Sequence, residues 1–203
     1  MTVEPALLIA GAVLLMNTRT AQVLVAYIVL AATVSALIAT SAAESSLSLG
    51  LFVLSTALKV VVAPIGIVIF LRANPAAGDL RPSLAMPARL ALAVAFALIA
   101  RAVAEMPSLN AVPFRDLVAY VILCGVGTLI VHRNLLAHVV GLLVLGAGIT
   151  LAGAVLAPTL PESVELGATF DGLIATFIGL GLVRVFIAHN PALDVESLRR
   201  LRG

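Results

Sequence analysis

The chain of 203 residues is 62% hydrophobic and 11% charged, with a mean hydropathy of +1.20 and a formal charge of +2. Soluble domains carry about 45–50% apolar and about 25% charged residues, so the composition excludes an ordinary soluble domain and indicates a membrane protein. The small, scattered positive charge gives no electrostatic basis for binding nucleic acid.

Seven apolar runs follow one another along the chain, each continuous and rich in Leu, Ala, Val and Ile. A transmembrane helix needs about 20 apolar residues, whereas a barrel strand shows about 10 residues of alternating hydropathy. The sequence therefore predicts an all-α, polytopic transmembrane helix bundle of about seven spans. The predicted helices cover residues 3–16, 20–40, 47–71, 89–106, 116–131, 134–157 and 164–188.

The alternative interpretation of the first run, residues 3–16, is a signal peptide. A secretory signal begins with basic residues, whereas here Glu4 precedes the apolar part and no basic residue does. We therefore expect a retained first helix.

Charge alternates between successive loops, which predicts the orientation. Basic residues concentrate on the cytoplasmic side of membrane proteins. We therefore expect the N-terminus outside and the C-terminus in the cytoplasm, in a bacterial inner membrane. The basic set contains Arg19, Arg72, Arg81, Arg89, Arg133, Arg199, Arg200 and Arg202; the opposite set contains Glu4, Glu44, Glu105 and Glu162, with Arg101 and Arg115 nearby.

The residue inventory restricts the chemistry. The single cysteine, Cys124, allows no internal disulfide, and the three histidines do not have the spacing of a helical metal site. We find no nucleophile constellation and no phosphate loop, so we expect no cofactor, no metal and no active site of the chain's own.

Lys59 lies near the middle of the third predicted helix, followed by Pro64. A charged residue at the bilayer centre costs about 2.5–3.5 kcal/mol on insertion scales, so such residues are informative. Because proline has no N–H, it frees the carbonyl four residues back, at Val60, and a kink beside Lys59 is expected. Lys59 is either part of a proton or ion path or a buried lysine paired to a carboxylate for packing.

Three more residues are candidates for a proton path. Asp171 lies about two turns inside the last run, and Glu165 lies nearer the outer interface. His138 lies about one turn inside the sixth run, and its ordinary pKa suits proton transfer, although a lone histidine near a helix end also has a structural interpretation. Asp171 is a possible partner of Lys59.

Four segments make the sequence similar to two related groups of proteins. Residues 132–143, His-Arg-Asn-Leu-Leu-Ala-His-Val-Val-Gly-Leu-Leu, resemble the signature of complex I subunit K (chain 4L). Residues 161–167 with Phe170-Asp171, and the segment from Lys59 to Pro64, resemble component E of hydrogenase-4 and formate hydrogenlyase-type complexes. The tail, residues 193–203, resembles the ending that both groups share.

The resemblance implies a polytopic subunit in a membrane arm that couples electron transfer to proton or sodium movement. Subunit K relatives carry glutamates in two helices. The corresponding positions here are Leu143 and Ala175, and the position where component E has a glutamate is Gly146. The carboxylate relay through the sixth helix is therefore interrupted, and we hypothesise that water bridges the gap near Gly146.

We divide the chain into an N-terminal four-helix membrane region (1–115), a subunit K-like three-helix unit (116–190) and a cytoplasmic tail (191–203). We interpret it as a non-catalytic membrane subunit of a hydrogenase-4-like or complex I-related oxidoreductase assembly, beside antiporter-like subunits in the lipid bilayer. Two alternatives stay open: a purely structural scaffold that joins antiporter-like subunits, and a subunit of a multi-subunit cation/proton antiporter.

Overall fold

The structure is a computed structural model that describes residues 3–41, 49–74, 80, 82–107, 112–156 and 162–189. For some residues near helix ends and in the last helix, only the backbone is described. The predicted tail and the centre of the loop after residue 74 lie outside the described residues.

Within the described residues the named elements are all helices, and isolated bridge positions occur at Arg19, Pro82, His132 and Asn134, of which Pro82 and His132 pair with each other. The third rod is continuous, with a short π-helical segment joining α3 to α4. The elements are α1 (Val3–Met16), α2 (Thr20–Ser41), α3 (Leu49–Ala57), the π segment (Leu58–Val62), α4 (Ala63–Ala73), α5 (Met86–Ala104), α6 (Arg115–Val131), α7 (Leu135–Leu156) and α8 (Glu162–His189).

These rods match the seven predicted helices, and the largest difference is at the start of α5, Met86 against the predicted 89. Four described helices are long and apolar enough to cross a membrane: Thr20–Ala39, Phe52–Ala73, Met86–Ala104 and Leu135–Leu156. At 1.5 Å per residue, the 14 residues of α1 span about 21 Å, which is less than a hydrocarbon core of about 30 Å. A helical, multi-pass membrane protein is thus supported, while the seven-span count and the orientation stay predictions.

The outward surface of the helices is apolar. Side chains such as Ile9, Val25, Ile69 and Leu98 are each at least 60% exposed. In water, a surface covered by such residues is unfavourable, whereas lipid tails are as apolar as these side chains. The helix faces therefore fit a bilayer environment.

The core is a ring of four helices. α1 packs on α2, α2 on α7, α7 on α6, and α6 again on α1. α5 flanks the ring against α6 and α1, while α8 lies on the opposite flank against α7 and the third rod. Both predicted membrane regions thus contribute to one core, although the boundary at 115 stays a prediction.

Glycines set the distance between α6 and α7. A Cβ added at Gly125 would lie 2.7 Å from the backbone nitrogen of Leu145, and one added at Gly148 would lie 2.8 Å from Ile122 Cγ1. Small residues at such positions let helix backbones approach closely, and close packing stabilises helix pairs in lipid. The α6–α7 contact therefore depends on these missing side chains.

Three loops meet at one end of the bundle, in what we call the loop junction: Asn17, Thr18, Leu80, Ser83 and His132. The Leu80 N–H donates to the Thr18 carbonyl at 2.8 Å, and the Ser83 N–H donates to Val131 at 2.6 Å. His132 Nε2 lies 3.1 Å from the Asn17 carbonyl oxygen. The loop after α4 thus contacts both other loops here.

Candidate functional site

The π segment places Lys59 in an irregular turn inside the third rod. The N–H of Ala63 donates to the carbonyl of Leu58, five residues back, and Pro64 follows with no N–H to donate. In the π register the donor missing at Pro64 is the one for the Lys59 carbonyl, whereas in the α-helical register it is the one for the Val60 carbonyl. The π segment thus lies beside Lys59, where the proline predicts an irregular turn, and the kink stays a prediction.

Tyr27 of α2 supplies the missing donor. Its hydroxyl donates to the Lys59 carbonyl oxygen at 3.0 Å, and the tyrosine is only 1% exposed. A buried carbonyl without a partner costs about 1–3 kcal/mol, so this hydrogen bond stabilises the irregular turn. Tyr27 therefore fixes the backbone from which the Lys59 side chain projects.

Lys59 lines a small cavity between the third rod, α7 and α8, which we call the Lys59 cavity. Its volume is about 30 Å³, and its lining includes Tyr27, Gly146, Thr150 and Thr169. A water needs about 10–15 Å³ and two to four polar partners. The Lys59 cavity is mostly apolar but large enough for one water, and the residues that line it include three with hydroxyl groups.

A second cavity adjoins the first. It has a volume of about 20 Å³ and is lined by residues that include Ala175 and Thr176. Leu143 and Gly172 line both cavities, so only the apolar Leu143 side chain and a glycine stand at their common wall. The two cavities follow the α7–α8 interface in series.

Hydroxyl groups accompany this interface. Ser55 Oγ and Thr169 Oγ1 are 2.9 Å apart and buried, and Thr150 Oγ1 donates to the Gly146 carbonyl at 2.8 Å. Thr176 Oγ1 donates to Gly172 at 2.7 Å. A hydroxyl both donates and accepts, so such groups with a bound water can pass a proton between neighbouring ionisable groups.

The positions where the resemblance implies a carboxylate lie at these cavities. Leu143 and Gly146 line the Lys59 cavity, and Ala175 lines the second one. A Cβ added at Gly146 would meet no atom within 4 Å, which is the open space that the sequence predicts there. The structure thus brings together Lys59 and the interrupted relay positions, which are far apart in sequence.

The other predicted site residues are placed as follows. Asp171 lies on α8 between Thr169 and Gly172, which both line the Lys59 cavity, but its side chain is outside the described residues, as is that of Glu165. His138 lines neither cavity, and its Nδ1 is 2.8 Å from the Asn134 carbonyl oxygen. The assignment of these residues to a proton path stays a prediction.

Sequence reasoning missed the contributions of Tyr27, Ser55, Thr150 and Thr169. The available signal is weak: each is an isolated polar residue or, for Ser55, one of an adjacent Ser-Thr pair inside an apolar run. Nothing in the sequence around Tyr27 indicates which distant carbonyl its hydroxyl reaches. Only the packing of α2 and α8 on the third rod, and of α7 on α8, identifies these residues.

Among the side chains that the structure describes, no three of His, Cys, Asp and Glu lie close enough together to hold a metal ion. Comparison with protein-family models, with curated proteins and with solved structures gives no match to this chain.

Proposed function

We propose that this chain is a non-catalytic membrane subunit of a hydrogenase-4-like or complex I-related assembly, in which the Lys59 cavity forms part of a proton path. The chain would lie in a bacterial inner membrane with seven spans, an outside N-terminus and a cytoplasmic C-terminus. Its partners would be antiporter-like subunits, and a separate redox arm would carry the chemistry.

The observation that carries this proposal is the placement of a lysine against a water-sized cavity between the helices of an apolar bundle, with three hydroxyl-bearing residues in its lining. Lys59 is seven residues after Phe52, the start of its candidate span, which is about 10 Å along the helix axis. Ionisable residues at such depth are expensive and are retained where they serve ion or proton movement. A π segment in the same turn adds support, because such segments are frequent at functional sites.

The cavities suggest the order of the path. The ammonium of Lys59 can release a proton to water in the Lys59 cavity, and the hydroxyls of Thr150 and Thr169 line the same space. From there the path would pass Leu143 into the second cavity beside Thr176. Asp171, which lies on α8 at the level of the Lys59 cavity, would be the acceptor on that helix.

A purely structural scaffold is the second candidate, and the apolar Leu143 favours it. Leu143 is 9% exposed and stands where the two cavities meet, with no ionisable group of its own. In this interpretation Lys59 stabilises the bundle, and its loss weakens assembly instead of proton movement. No described feature favours the antiporter-subunit alternative over these two.

The test begins with a tagged chain purified in gentle detergent from its native membrane, with mass spectrometry of the chains that co-purify. Lys59→Ala, Lys59→Arg and Asp171→Asn are then compared for complex yield and for proton uptake by inverted membrane vesicles. Arg101→Gln serves as the control, since Arg101 is exposed and paired only with Glu105 in the described contacts.

A proton path predicts that Lys59→Ala and Asp171→Asn assemble normally but lose most proton uptake, with partial recovery in Lys59→Arg. A scaffold predicts loss of the assembled complex with normal uptake per complex that remains. If both substitutions leave assembly and proton uptake intact, the relay is wrong.

A further inference from the structure

An open groove runs along the outside of α1 and α2, away from the Lys59 cavity. Its volume is about 470 Å³, within the range of about 300–1,000 Å³ for small-molecule sites. The wall includes Val13, Val25, Ala26 and Val29, and one end is formed by Asn17 and Gln22. The groove is therefore apolar along most of its length and polar at one end.

The groove lies at membrane depth. Gln22 and Val29 are seven residues apart on α2, which is about 10 Å along the helix axis. Both belong to the candidate span Thr20–Ala39, and Val25 within the groove is 60% exposed. The polar end thus coincides with the start of the span, where a lipid headgroup lies.

Positive charge collects around the polar end. Arg19 is exposed and lies between Asn17 and Ala21, two of the lining residues. At the loop junction, the Arg89 Nη1 donates to the Met16 carbonyl at 2.6 Å. Arg133 follows His132, whose ring reaches Asn17. Arg19 and Arg89 therefore lie beside residues at the polar end of the groove, and Arg133 follows a residue that contacts this end.

Arg89 makes this end unusually positive. It is only 6% exposed, and its Nε has no hydrogen-bond partner within the described part of the chain. Burial in a low-dielectric setting extends the reach of its charge, because fewer water molecules screen it. The described hydrogen bond of its guanidinium goes to a backbone carbonyl, which leaves the net positive charge in place.

We propose that this groove binds one phospholipid with an anionic headgroup. An acyl chain fills the apolar wall formed by Val13, Val25 and Val29, and the phosphate lies at Arg19. The side-chain amide of Gln22 donates to an oxygen at the glycerol level. A lipid fits better than a protein segment because the occupant must be apolar at one end and negatively charged at the other.

The test uses the full chain purified in mild non-ionic detergent and mixed with equal amounts of phosphatidylglycerol and phosphatidylcholine that have identical acyl chains. Native mass spectrometry then counts the lipids that stay bound. One basic residue near a headgroup changes anionic-lipid binding by about fivefold. We therefore expect the wild type to retain phosphatidylglycerol over phosphatidylcholine by at least that factor.

Two pairs of variants separate headgroup and acyl contributions. Arg19→Gln is expected to lower the preference by about fivefold, whereas Arg101→Gln, an exposed arginine about 18 Å along α5 from Arg89, leaves it unchanged. Val25→Trp fills the groove and removes both lipids. Val94→Trp, at a side chain 52% exposed on α5, retains them.

Equal retention of the two lipids, or equal effects of Arg19→Gln and Arg101→Gln, overturns the proposal. Lipid counts that are unchanged in Val25→Trp also overturn it. A dimer without lipid that becomes a monomer in Val25→Trp would assign the groove to a second copy of the chain instead.

Discussion

Tyr27 and Pro64 are expected to be energetically coupled through a single carbonyl group. In the π segment the Lys59 carbonyl has no helical donor because Pro64 carries no N–H, and the Tyr27 hydroxyl donates to it at 3.0 Å. Tyr27→Phe removes that donor without changing the ring. In the Pro64→Ala background, the new N–H lies five residues after Lys59 and can donate to the same oxygen within the π register.

The size of the expected coupling energy follows from which hydrogen-bonding group each variant leaves without a partner. Tyr27→Phe in the natural sequence removes the described donor to the half-buried Lys59 carbonyl, and a loss of up to about 1–3 kcal/mol follows where such a group is left unsatisfied. In Pro64→Ala the carbonyl keeps a donor, so the same substitution costs only the net value of one hydrogen bond, about 0.5–1.5 kcal/mol. The difference between the two costs is the coupling energy of the cycle.

Tyr120→Phe is the matched control. Tyr120 is also buried, and its hydroxyl donates to the Leu8 carbonyl at 2.9 Å. Leu8 lies inside α1, where its carbonyl also accepts the regular helical N–H from Ala12. Tyr120→Phe therefore leaves the Leu8 carbonyl with its helical donor and breaks only the contact with the Cys124 thiol, a weak hydrogen-bonding group, so we expect a loss of about 0.5–1.5 kcal/mol.

The assay is reversible unfolding of the purified chain in mixed micelles, followed by helical circular dichroism, with the free energy of unfolding extrapolated for each variant. Tyr27→Phe should be the more destabilising of the two tyrosine variants, and Pro64→Ala should reduce that difference. An equal loss for Tyr27→Phe in both backgrounds would refute the assignment of the orphaned carbonyl to Lys59.

Three further predictions address packing, protonation and the relay. Gly125→Ala should destabilise the chain by about 1–3 kcal/mol in the same unfolding assay, because its Cβ would lie 2.7 Å from the Leu145 backbone nitrogen. Gly146→Ala, with no atom within 4 Å of its Cβ, should show no such loss, and equal losses would contradict the packing account. Burial lowers the pKa of His132, which follows the end of α6, below its ordinary value of 6.5. The unfolded chain therefore binds more protons, so stability should fall as the pH drops through 6.5, by at most about 1.4 kcal/mol per pH unit. His132→Gln should remove that part of the slope, and an unchanged slope would count against it. Gly146→Glu should place a carboxylate at the Lys59 cavity and raise proton uptake by vesicles above that of Gly146→Gln; equal uptake would argue against a relay at this position.

Much of the fold could be predicted because few backbone structures are stable inside a lipid bilayer. Backbone groups in hydrocarbon must be satisfied within the segment, so long apolar runs such as 20–40 and 134–157 become helices. The observed Thr20–Ser41 and Leu135–Leu156 confirm these two predictions to within a residue at each end. The helical class and the positions of the rods are therefore properties of local composition.

The candidate site could be predicted only in part. Lys59 can be recognised from the sequence because the free energy of placing a charged side chain in the bilayer is high whatever its neighbours are. The open space at Gly146 was also expected, but nothing local indicates that Gly146 and Lys59 line the same cavity. That contact joins residues in two helices that are far apart along the chain.

Local sequence predicts which segments are helical, that a lysine lies within an apolar run and that a proline interrupts the hydrogen bonding beside it. How the interruption is accommodated depends on packing between helices. The contact of α2 with the third rod brings the Tyr27 hydroxyl to the Lys59 carbonyl, for which Pro64 would be the donor in the π register. The physical reason is that hydrogen-bond satisfaction inside one helix is local, whereas a donor from another helix exists only once the bundle has formed.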